Sequence, residues 1–366
     1  MSLPIRILVA DDTALYRKIV GDVLRSLPGV EVVGTAFNGQ VALERIQELR
    51  PDLVTLDLEM PQMSGVEVLQ RLRSSDSSAG VVMLSAFTSA GATATTEALR
   101  LGAFDFVLKP SGYNPAANME VLRQRLSACI AAFAHSRGLR LPTIPPDGIQ
   151  PRVDAPVASA PAAHVVPPVT GDRPQVIVLG ISTGGPEALT RLIPALPADL
   201  AAPVLIVQHM PPLFTKSLAD DLNQRSQLRV YEAVDGQLAQ PGECIIAPGG
   251  RQMKIERTEA GPLVRITDDP PENSCRPAAD YLFRSAAHHY GVQVLGVVMT
   301  GMGSDGALGC RLLKRHGATV LAQDKESCVV FGMPSAVIEQ GLANAVLPLR
   351  DMAAQITAIA GQGVRA

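Results

Sequence analysis

The sequence predicts an α/β protein built from two doubly wound parallel-sheet domains. Short apolar segments alternate with amphipathic ones on both sides of a proline-rich stretch, and this alternation is typical of parallel sheets covered by helices. The length of 366 residues suggests two domains. Hydrophobic residues make up 47% of the chain and charged residues 18%, so there are enough apolar side chains for two cores.

The first domain is predicted to contain five strands with helices between them. Amphipathic segments such as TALYRKIVGDVLRSL and QVALERIQEL have the helical pattern. In such sheets ligands bind outside the carboxyl ends of the strands, so polar residues there are candidate site residues. The predicted strands read IRILVA, VEVVGTA, LVTLDL, GVVMLSA and FDFVLK.

Residues 141–172 are predicted to be an extended linker. They contain eight of the 29 prolines and no aromatic residue, and they show neither helical nor strand periodicity. We therefore expect a first domain over residues 1–125, a helix end with the linker over 126–173, and a second domain over 174–366.

Alternation resumes in the second domain, with helices such as PEALTRLIPAL and TKSLADDLNQRS. The segment RQMKIERTEAGPLVRITDD differs, because two strand-like runs flank a Glu-Ala-Gly turn, which predicts an antiparallel hairpin at one edge of the sheet. The predicted buried parallel strands are QVIVLG, PVLIVQ, VQVLGVVMT and ATVLAQ.

Composition excludes several classes of protein. The net charge of −3 gives no basic surplus, so we expect no nucleic-acid partner. No apolar run reaches about 18 residues, so no membrane insertion is expected. The five cysteines include no CxxC pair, so neither a zinc site nor a disulfide framework is expected. With no signal-peptide pattern at the N-terminus, these features favour the cytoplasm.

Polar residues follow four of the strands predicted in the first domain: Asp11-Asp12, Asp57, Ser85 and Lys109. Three carboxylates at one sheet edge repel each other, and a divalent cation with oxygen ligands, such as Mg²⁺, would offset this repulsion. A carboxylate beside the metal can accept a phosphoryl group. The alternative is that Asp11 or Asp12 only caps the helix that begins near Thr13.

The motifs LVADD, LDLEMPQMSG and LKP resemble the response-regulator receiver domain, a flavodoxin-like fold, over residues 3–125. The resemblance implies phosphorylation of Asp57 in the presence of Mg²⁺. It also implies a histidine kinase as phosphodonor. The roles implied for the remaining residues are metal binding by Asp12, Asp57 and the backbone carbonyl of Glu59, with Asp11 assisting, and sensing of the phosphoryl group by Ser85, Lys109 and Phe106.

The stretch VIVLGISTGG, residues 176–185, permits two interpretations. As a dinucleotide fingerprint it lacks the middle glycine, because Ser182 stands there. The next strand ends in Gln208-His209 rather than in an acid, and Asp199 precedes that strand. As a G-x-S-x-G turn it presents Ser182 as a nucleophile, which requires a base and an orienting acid elsewhere.

His209 and Asp305 are the candidate base and acid. His209 alone among the six histidines stands directly after a predicted strand of the second domain. Asp305 ends the loop TGMGSDG, which follows another strand. The alternative for His209 is a structural role, with its side chain hydrogen-bonded to the backbone of a loop. The alternative for Asp305 is that it only caps a helix. The order Ser, His, Asp differs from that of the α/β-hydrolases.

The segments GISTGG, QHMPP, TGMGSDG and SCVVFGMP together resemble the catalytic domain of the chemotaxis protein-glutamate methylesterases, the CheB family, and imply a Rossmann-like domain. The resemblance implies hydrolysis of glutamate methyl esters on chemoreceptor signalling helices, with release of methanol, and deamidation of receptor glutamines. It implies activation by receiver phosphorylation and no cofactor for the esterase reaction. The residues it assigns are Ser182 as nucleophile, His209 as base, Asp305 as orienting acid, and Thr183, Met302 and Arg276 as oxyanion or substrate contacts.

The segment ENSCRPAADYLF departs from the family pattern at Ser274, where a basic residue is more usual, and at Ala278, where serine is. Cys275 is a rival nucleophile, but no histidine is placed beside it by sequence, so we expect it to be a small buried residue or a small residue of the groove. Two alternatives stay open: an esterase of the same type in another chemosensory pathway, and a non-enzymatic response regulator whose output domain binds a partner.

Overall fold

The computed structural model describes residues 3–75, 77–139 and 173–361, and they form two compact units, each with its own parallel sheet. The predicted linker, residues 141–172, lies outside the described residues, which leave out 140–172. Residues 126–136 complete a long helix, so the range 126–173 begins on a helix end. The domain boundaries themselves stay predictions.

The first sheet has five parallel strands in the order β2-β1-β3-β4-β5. All five were predicted. The central strands are buried along nearly their whole length, as in a sheet covered on both faces. The strand order reverses between β1 and β3, where ligands bind in this topology. The strands are β1 Ile5–Ala10, β2 Val30–Ala36, β3 Leu53–Asp57, β4 Gly80–Ser85 and β5 Asp105–Leu108.

Five helices connect or follow these strands. Local signals define several of their starts: Asn38 accepts from Val41 N at the start of α2, and Ser64 with Glu67 forms a capping box at α3. Helix α1 packs against α5, and α2 against α3. The helices are α1 Ala14–Arg25, α2 Gly39–Leu49, α3 Gly65–Arg73, α4 Ser89–Arg100 and α5 Pro115–Ser136.

The second sheet has seven parallel strands in the order β14-β13-β12-β6-β7-β9-β8. Its order reverses between β6 and β12, so the crevice at their carboxyl ends is the expected ligand position. The four predicted strands are confirmed as β6, β7, β12 and β13. The strands are β6 Val176–Ile181, β7 Val204–Gln208, β8 Arg229–Glu232, β9 Glu243–Ile246, β12 Val294–Val298, β13 Thr319–Gln323 and β14 Ala345–Leu347.

The predicted hairpin is present as β10 Gln252–Thr258 and β11 Gly261–Thr267, which pair antiparallel. The two strands form a separate two-stranded sheet. Buried residues of the hairpin, Met253 and Ile255, pack in one apolar cluster with α8 and with β12. The helices that connect or follow the strands of the second sheet are α6 Gly185–Leu192, α7 Phe214–Arg225, α8 Ala279–Tyr290, α9 Ala307–Arg315, α10 Met333–Glu339 and α11 Leu349–Ala360.

Within the described ranges, no helix combines the length and apolarity needed to cross a bilayer.

Candidate active site

Ser182 lies in the turn between β6 and α6, at the carboxyl edge of the second sheet. Its N–H donates to Thr300 O at 3.0 Å and its carbonyl accepts from Gly185 N at 2.7 Å, so the turn is tight. Gly184 has φ 78°, a left-handed conformation that favours glycine. A Cβ on Gly301 would lie 2.7 Å from Ser182 Cβ. Glycines therefore allow both the sharp turn and the close approach of the loop after β12.

His209 directly follows β7, the strand beside β6. Ile181 pairs with Gln208, and His209 N–H donates to Ile181 O at 3.2 Å, so the backbones of Ser182 and His209 are neighbours. The imidazole Nε2 lies 2.7 Å from Asp305 Oδ2. Their side chains are 13% and 3% exposed, so the contact is shielded from water. The structure thus brings the three predicted residues to one edge of the sheet and joins two of them by a hydrogen bond.

Asp305 does not cap the helix that follows it, since Gly306 is the N-cap of α9 and provides no side-chain bond. Its carboxylate instead accepts from the N–H groups of Ala279, at 2.6 Å, and Asp280, at 3.0 Å, in the first turn of α8. Asn273 Nδ2 donates to the same carboxylate at 3.0 Å. The capping role considered from the sequence is therefore present at a different helix, and it coexists with the contact to His209.

The charge interaction between His209 and Asp305 determines which nitrogen of the imidazole can exchange a proton. Burial disfavours the imidazolium, but the hydrogen bonds and charges of Asp305 and Cys275 together outweigh it and raise the pKa of His209 to about 9. Burial also acts against the Asp305 carboxylate, yet hydrogen bonds from His209 and α8 lower its pKa. An ionised Asp305 keeps a proton on Nε2, so Nδ1 is the nitrogen that can accept and return one.

Thr183 and Met302 flank Ser182 from two loops. Thr300 Oγ1 donates to Thr183 O at 3.0 Å, which ties the serine turn to the end of β12. Met302 follows Gly301 and is 44% exposed to solvent. Among the described residues, no group accepts a hydrogen bond from Met302 N–H. A backbone donor is therefore available in the loop that approaches Ser182.

Arg276 is exposed, and its side-chain contacts are with backbone carbonyls outside the candidate triad. Its guanidinium Nη1 donates to the backbone carbonyls of Asp268, at 3.3 Å, and Asp269, at 3.5 Å. No contact to Ser182, His209 or Asp305 is formed within the part of the chain that the structure describes. A substrate contact by Arg276 stays a prediction.

The receiver-type pocket is a buried ion cluster at the carboxyl edge of the first sheet. Lys109 Nζ lies 2.7 Å from Asp11 Oδ2 and 2.7 Å from Asp57 Oδ2. Asp11 follows β1 and Asp57 ends the adjacent β3. Asp11 Oδ1 also accepts from Thr13 N–H at 2.9 Å, so it serves the turn before α1 as well. Asp12 is exposed beside them, where its carboxylate accepts from Thr13 Oγ1.

This pocket fits a divalent cation. Burial raises the pKa of Asp57 to about 6 although Lys109 opposes the shift, and the charge of Asp11 contributes to the increase. Burial acts against the Lys109 ammonium, but hydrogen bonds to both aspartates outweigh it and raise its pKa. Carboxylate oxygens of Asp11, Asp12 and Asp57 all lie within 4.8 Å of one another. Such an all-oxygen set suits Mg²⁺.

The other predicted receiver residues surround the cluster. Ser85 ends β4 and is fully buried, and its backbone carbonyl accepts from Lys109 N–H at 2.8 Å. Glu59 is exposed, and its backbone N–H donates to the Asp57 carboxylate. Phe106 is half-buried on β5.

Comparison with known proteins identifies a family for each part of the chain. The family model for the CheB methylesterase matches residues 177–356, and the model for the response regulator receiver domain matches residues 7–119. A protein-glutamate methylesterase/protein-glutamine glutaminase of Desulfotalea psychrophila is 46% identical over 361 residues, which cover 96% of this chain and 97% of that protein. The chain belongs to the CheB methylesterase family.

Two further relatives support this assignment. The protein-glutamate methylesterase/protein-glutamine glutaminase of Bacillus subtilis is 41% identical over 356 residues, covering 96% of this chain and 98% of that protein. The crystal structure of the Thermotoga maritima CheB methylesterase catalytic domain matches with a TM-score of 0.50 and 43% identity, covering 50% of this chain and 98% of that one. The predicted family, fold class and hydrolase activity are confirmed, which sets aside the dinucleotide and non-enzymatic alternatives.

One residue and one contact that the sequence did not reveal lie beside the CheB candidate triad. Asn273 Nδ2 contacts both Asp305 and Asp280, at 3.0 and 2.8 Å, and so separates two buried carboxylates. Cys275 Sγ lies 3.6 Å from His209 Nδ1, so a histidine is placed beside this thiol after all. Ala278 is fully buried, so of the two departures from the family pattern only exposed Ser274 is available to a substrate.

Proposed function

We propose that the second unit hydrolyses glutamate methyl esters on chemoreceptor signalling helices through Ser182, His209 and Asp305, and that it deamidates receptor glutamines at the same site. The observation that supports these roles is the shielded 2.7 Å contact between His209 and Asp305, one strand away from the glycine turn that presents Ser182. The names of the relatives supply the two substrates.

The chemistry follows from the protonation of the pair. Nδ1 of His209 accepts the Ser182 proton as Oγ attacks the ester carbonyl, and the imidazolium then gives that proton to the departing methoxy group. Methanol leaves, and a water activated by the same nitrogen cleaves the glutamyl–serine ester. With glutamine, ammonia leaves instead. Thr183 and the Met302 N–H stabilise the oxyanion, and such a donor is typically worth about 3 kcal/mol in the transition state.

The first unit is proposed to control this activity. Asp57 accepts a phosphoryl group. Asp11, Asp12, Asp57 and the carbonyl of Glu59 would hold Mg²⁺, whose charge would offset that of the phosphate. Ser85, Lys109 and Phe106 respond to the phosphoryl group, and the population shifts toward the active arrangement. The phosphodonor is the histidine kinase of the chemosensory system. With these partners, we expect the reaction to take place in the cytoplasm.

Methanol release from methylated receptor tests the serine mechanism. Ser182→Ala is expected to lower the rate by at least a thousandfold without loss of folding, because the nucleophile is removed while the turn keeps its backbone bonds. The matched control is Ser304→Ala, which changes an exposed serine in the loop after β12 and is expected to keep the parent rate.

A fluorophosphonate probe with mass-spectrometric mapping adds a second readout. Labelling of Ser182 in the parent and its loss in His209→Gln are expected, because an unactivated serine reacts slowly. Near-parent methanol release by Ser182→Ala would refute the mechanism. Activity on methylated receptors of one pathway only would identify which chemosensory system the enzyme serves.

A further inference from the structure

Cys275 has no part in the proposed hydrolysis, yet its thiol faces the catalytic imidazole. Sγ lies 3.6 Å from His209 Nδ1, on the opposite side of the ring from Asp305, which contacts Nε2 at 2.7 Å. The two residues are 66 positions apart, so no sequence spacing indicates the pair. Cys275 is only partly buried.

The separation of the two atoms matches that of two ligands on one tetrahedral metal ion. Zinc–sulfur bonds of about 2.3 Å and zinc–nitrogen bonds of about 2.0 Å, at a tetrahedral angle, require the sulfur and nitrogen to be about 3.5 Å apart. The observed 3.6 Å needs almost no adjustment. The pair is therefore preorganised as a sulfur–nitrogen chelate.

The surroundings of His209 are also those of a metal-bound histidine. Such a histidine commonly donates its second ring N–H to a carboxylate, which fixes the ring and increases its basicity. Asp305 is placed for this role, and its own orientation is fixed by N–H groups of Ala279 and Asp280. A carboxylate oxygen of Asp305 lies within 4.8 Å of the other two ligand atoms, but its hydrogen bonds keep it as a supporting acceptor.

We propose that Cys275 Sγ and His209 Nδ1 form a reversible inhibitory site for a thiophilic divalent cation, with Zn²⁺ as the type ion. On binding, the thiol loses its proton to solvent, the sulfur–metal and nitrogen–metal bonds form, and no electron is transferred. Waters complete the coordination, because only two protein ligands face the ion. The metal occupies the nitrogen lone pair that would accept the Ser182 proton, so hydrolysis stops.

Ligand chemistry separates this site from the acidic pocket of the first unit. Thiolate and imidazole select Zn²⁺, whereas the all-oxygen cluster of Asp11, Asp12 and Asp57 suits Mg²⁺. Millimolar Mg²⁺ can therefore be present in every measurement without filling the sulfur–nitrogen site. Two protein ligands instead of the usual three or four predict binding that a chelator reverses.

The binding test uses the full chain in Mg²⁺ buffer with Co²⁺ as a spectroscopic substitute for Zn²⁺. A near-ultraviolet thiolate-to-cobalt band is expected in the parent and in Ser182→Ala, and it is expected to disappear on addition of Zn²⁺. Cys275→Ser should lose the band. Cys129→Ser, which removes a cysteine of α5 in the first unit, is the matched control and should keep it.

The inhibition test measures methanol release at increasing Zn²⁺ concentrations, and each variant's rate is divided by its own metal-free rate. This test rests on the proposed base role of His209. Half-inhibition of Cys275→Ser is expected to require at least tenfold more Zn²⁺ than half-inhibition of the parent or Cys129→Ser, and a chelator should restore the rate. Absence of the cobalt band in the parent, or its retention in Cys275→Ser, overturns the site. If the parent shows the cobalt band but Zn²⁺ leaves its hydrolysis rate unchanged, both the inhibition and the base role of Nδ1 are overturned. If instead Ser182→Ala keeps the parent rate of hydrolysis, the serine mechanism fails, while the cobalt band and the metal site are unaffected.

Discussion

His209 is predicted to set the pH dependence of hydrolysis. Its pKa is raised to about 9, because hydrogen bonds and charges of Asp305 and Cys275 together outweigh the effect of burial. The imidazole is therefore mostly protonated at neutral pH and cannot accept the serine proton. We expect kcat/KM to rise about tenfold per pH unit from pH 6 and to level near pH 9. Initial rates of methanol release over this range check the profile.

Asp305→Asn is the companion variant. Loss of the carboxylate charge should return the pKa of His209 toward its ordinary value, so the rise in kcat/KM should level at a lower pH and at a much lower maximum rate. A parent profile that is flat between pH 6 and 9, or an unchanged midpoint in Asp305→Asn, would contradict the assignment of His209 as base.

At the scale of elements, the loop after β12 has to approach the serine turn closely. Gly301→Ala would bring a Cβ to 2.7 Å from Ser182 Cβ and 2.4 Å from Met333 Sδ, so the turn or the loop must shift. A displaced nucleophile reduces kcat strongly, and we expect a loss of at least a hundredfold with a modest decrease in stability. The measurements are kcat, KM and the denaturation midpoint.

Gly296→Ala, on β12 itself, serves as the control. Its Cβ would meet the end of the Leu313 side chain at 2.8 Å, a clash within the core rather than at the site. We expect this variant to lose stability through overpacking while the folded fraction keeps its kcat. Equal kcat losses in the two variants would show that Gly301 has no special relation to Ser182.

Elements with strong local patterns could be predicted from the sequence, and those defined by distant pairing could not. All strands of the first sheet and the four central strands β6, β7, β12 and β13 are apolar runs with clear ends. Strands β8, β9 and β14 have three or four residues each and gain their stability from neighbours far along the chain. The separate sheet of the hairpin also follows from tertiary packing.

In the candidate site too, residues placed by strand topology could be predicted from the sequence, and residues placed by tertiary contacts could not. Ser182, His209 and Asp305 follow strands, so topology alone brings them to one edge. Asn273 and Cys275 lie in a loop whose path depends on left-handed φ values of 50° at Asn273 and 62° at Ser274, neither of them glycine. Such a conformation is imposed by contacts with Asp280 and Asp305, which no local pattern reveals.

At the scale of the whole molecule, the acid pocket is predicted to cost the first unit stability. The folded-state pKa of Asp57 is about 6, above its ordinary 3.8, so the folded protein binds this proton more tightly than the unfolded chain does. The cost is small below pH 4 and reaches about 3 kcal/mol above pH 6. In metal-free buffer at pH 8, Asp57→Asn should therefore slow hydrogen exchange in β1–β5, and Mg²⁺ should slow it only in the parent.

Asp22→Asn, which removes an exposed carboxylate of α1, is the control for this measurement and should leave exchange unchanged. Slower exchange in Asp57→Asn at pH 4 as well as at pH 8 would show that the effect does not come from the charge. Faster exchange at pH 8 would mean that the ion pair with Lys109 outweighs the burial of Asp57.

The pocket and the triad belong to different units, so regulation requires that chemistry at Asp57 alter the rate at Ser182. A small phosphodonor with Mg²⁺ is expected to raise methanol release severalfold in the parent and in Asp22→Asn, and to have no effect on Asp57→Asn, whose amide cannot be phosphorylated. Lys109→Ala should be phosphorylated but stimulated less, because the cation that contacts both aspartates is gone. Equal stimulation of the parent and Asp57→Asn would exclude Asp57 as the control point and leave the first unit without a role in the reaction.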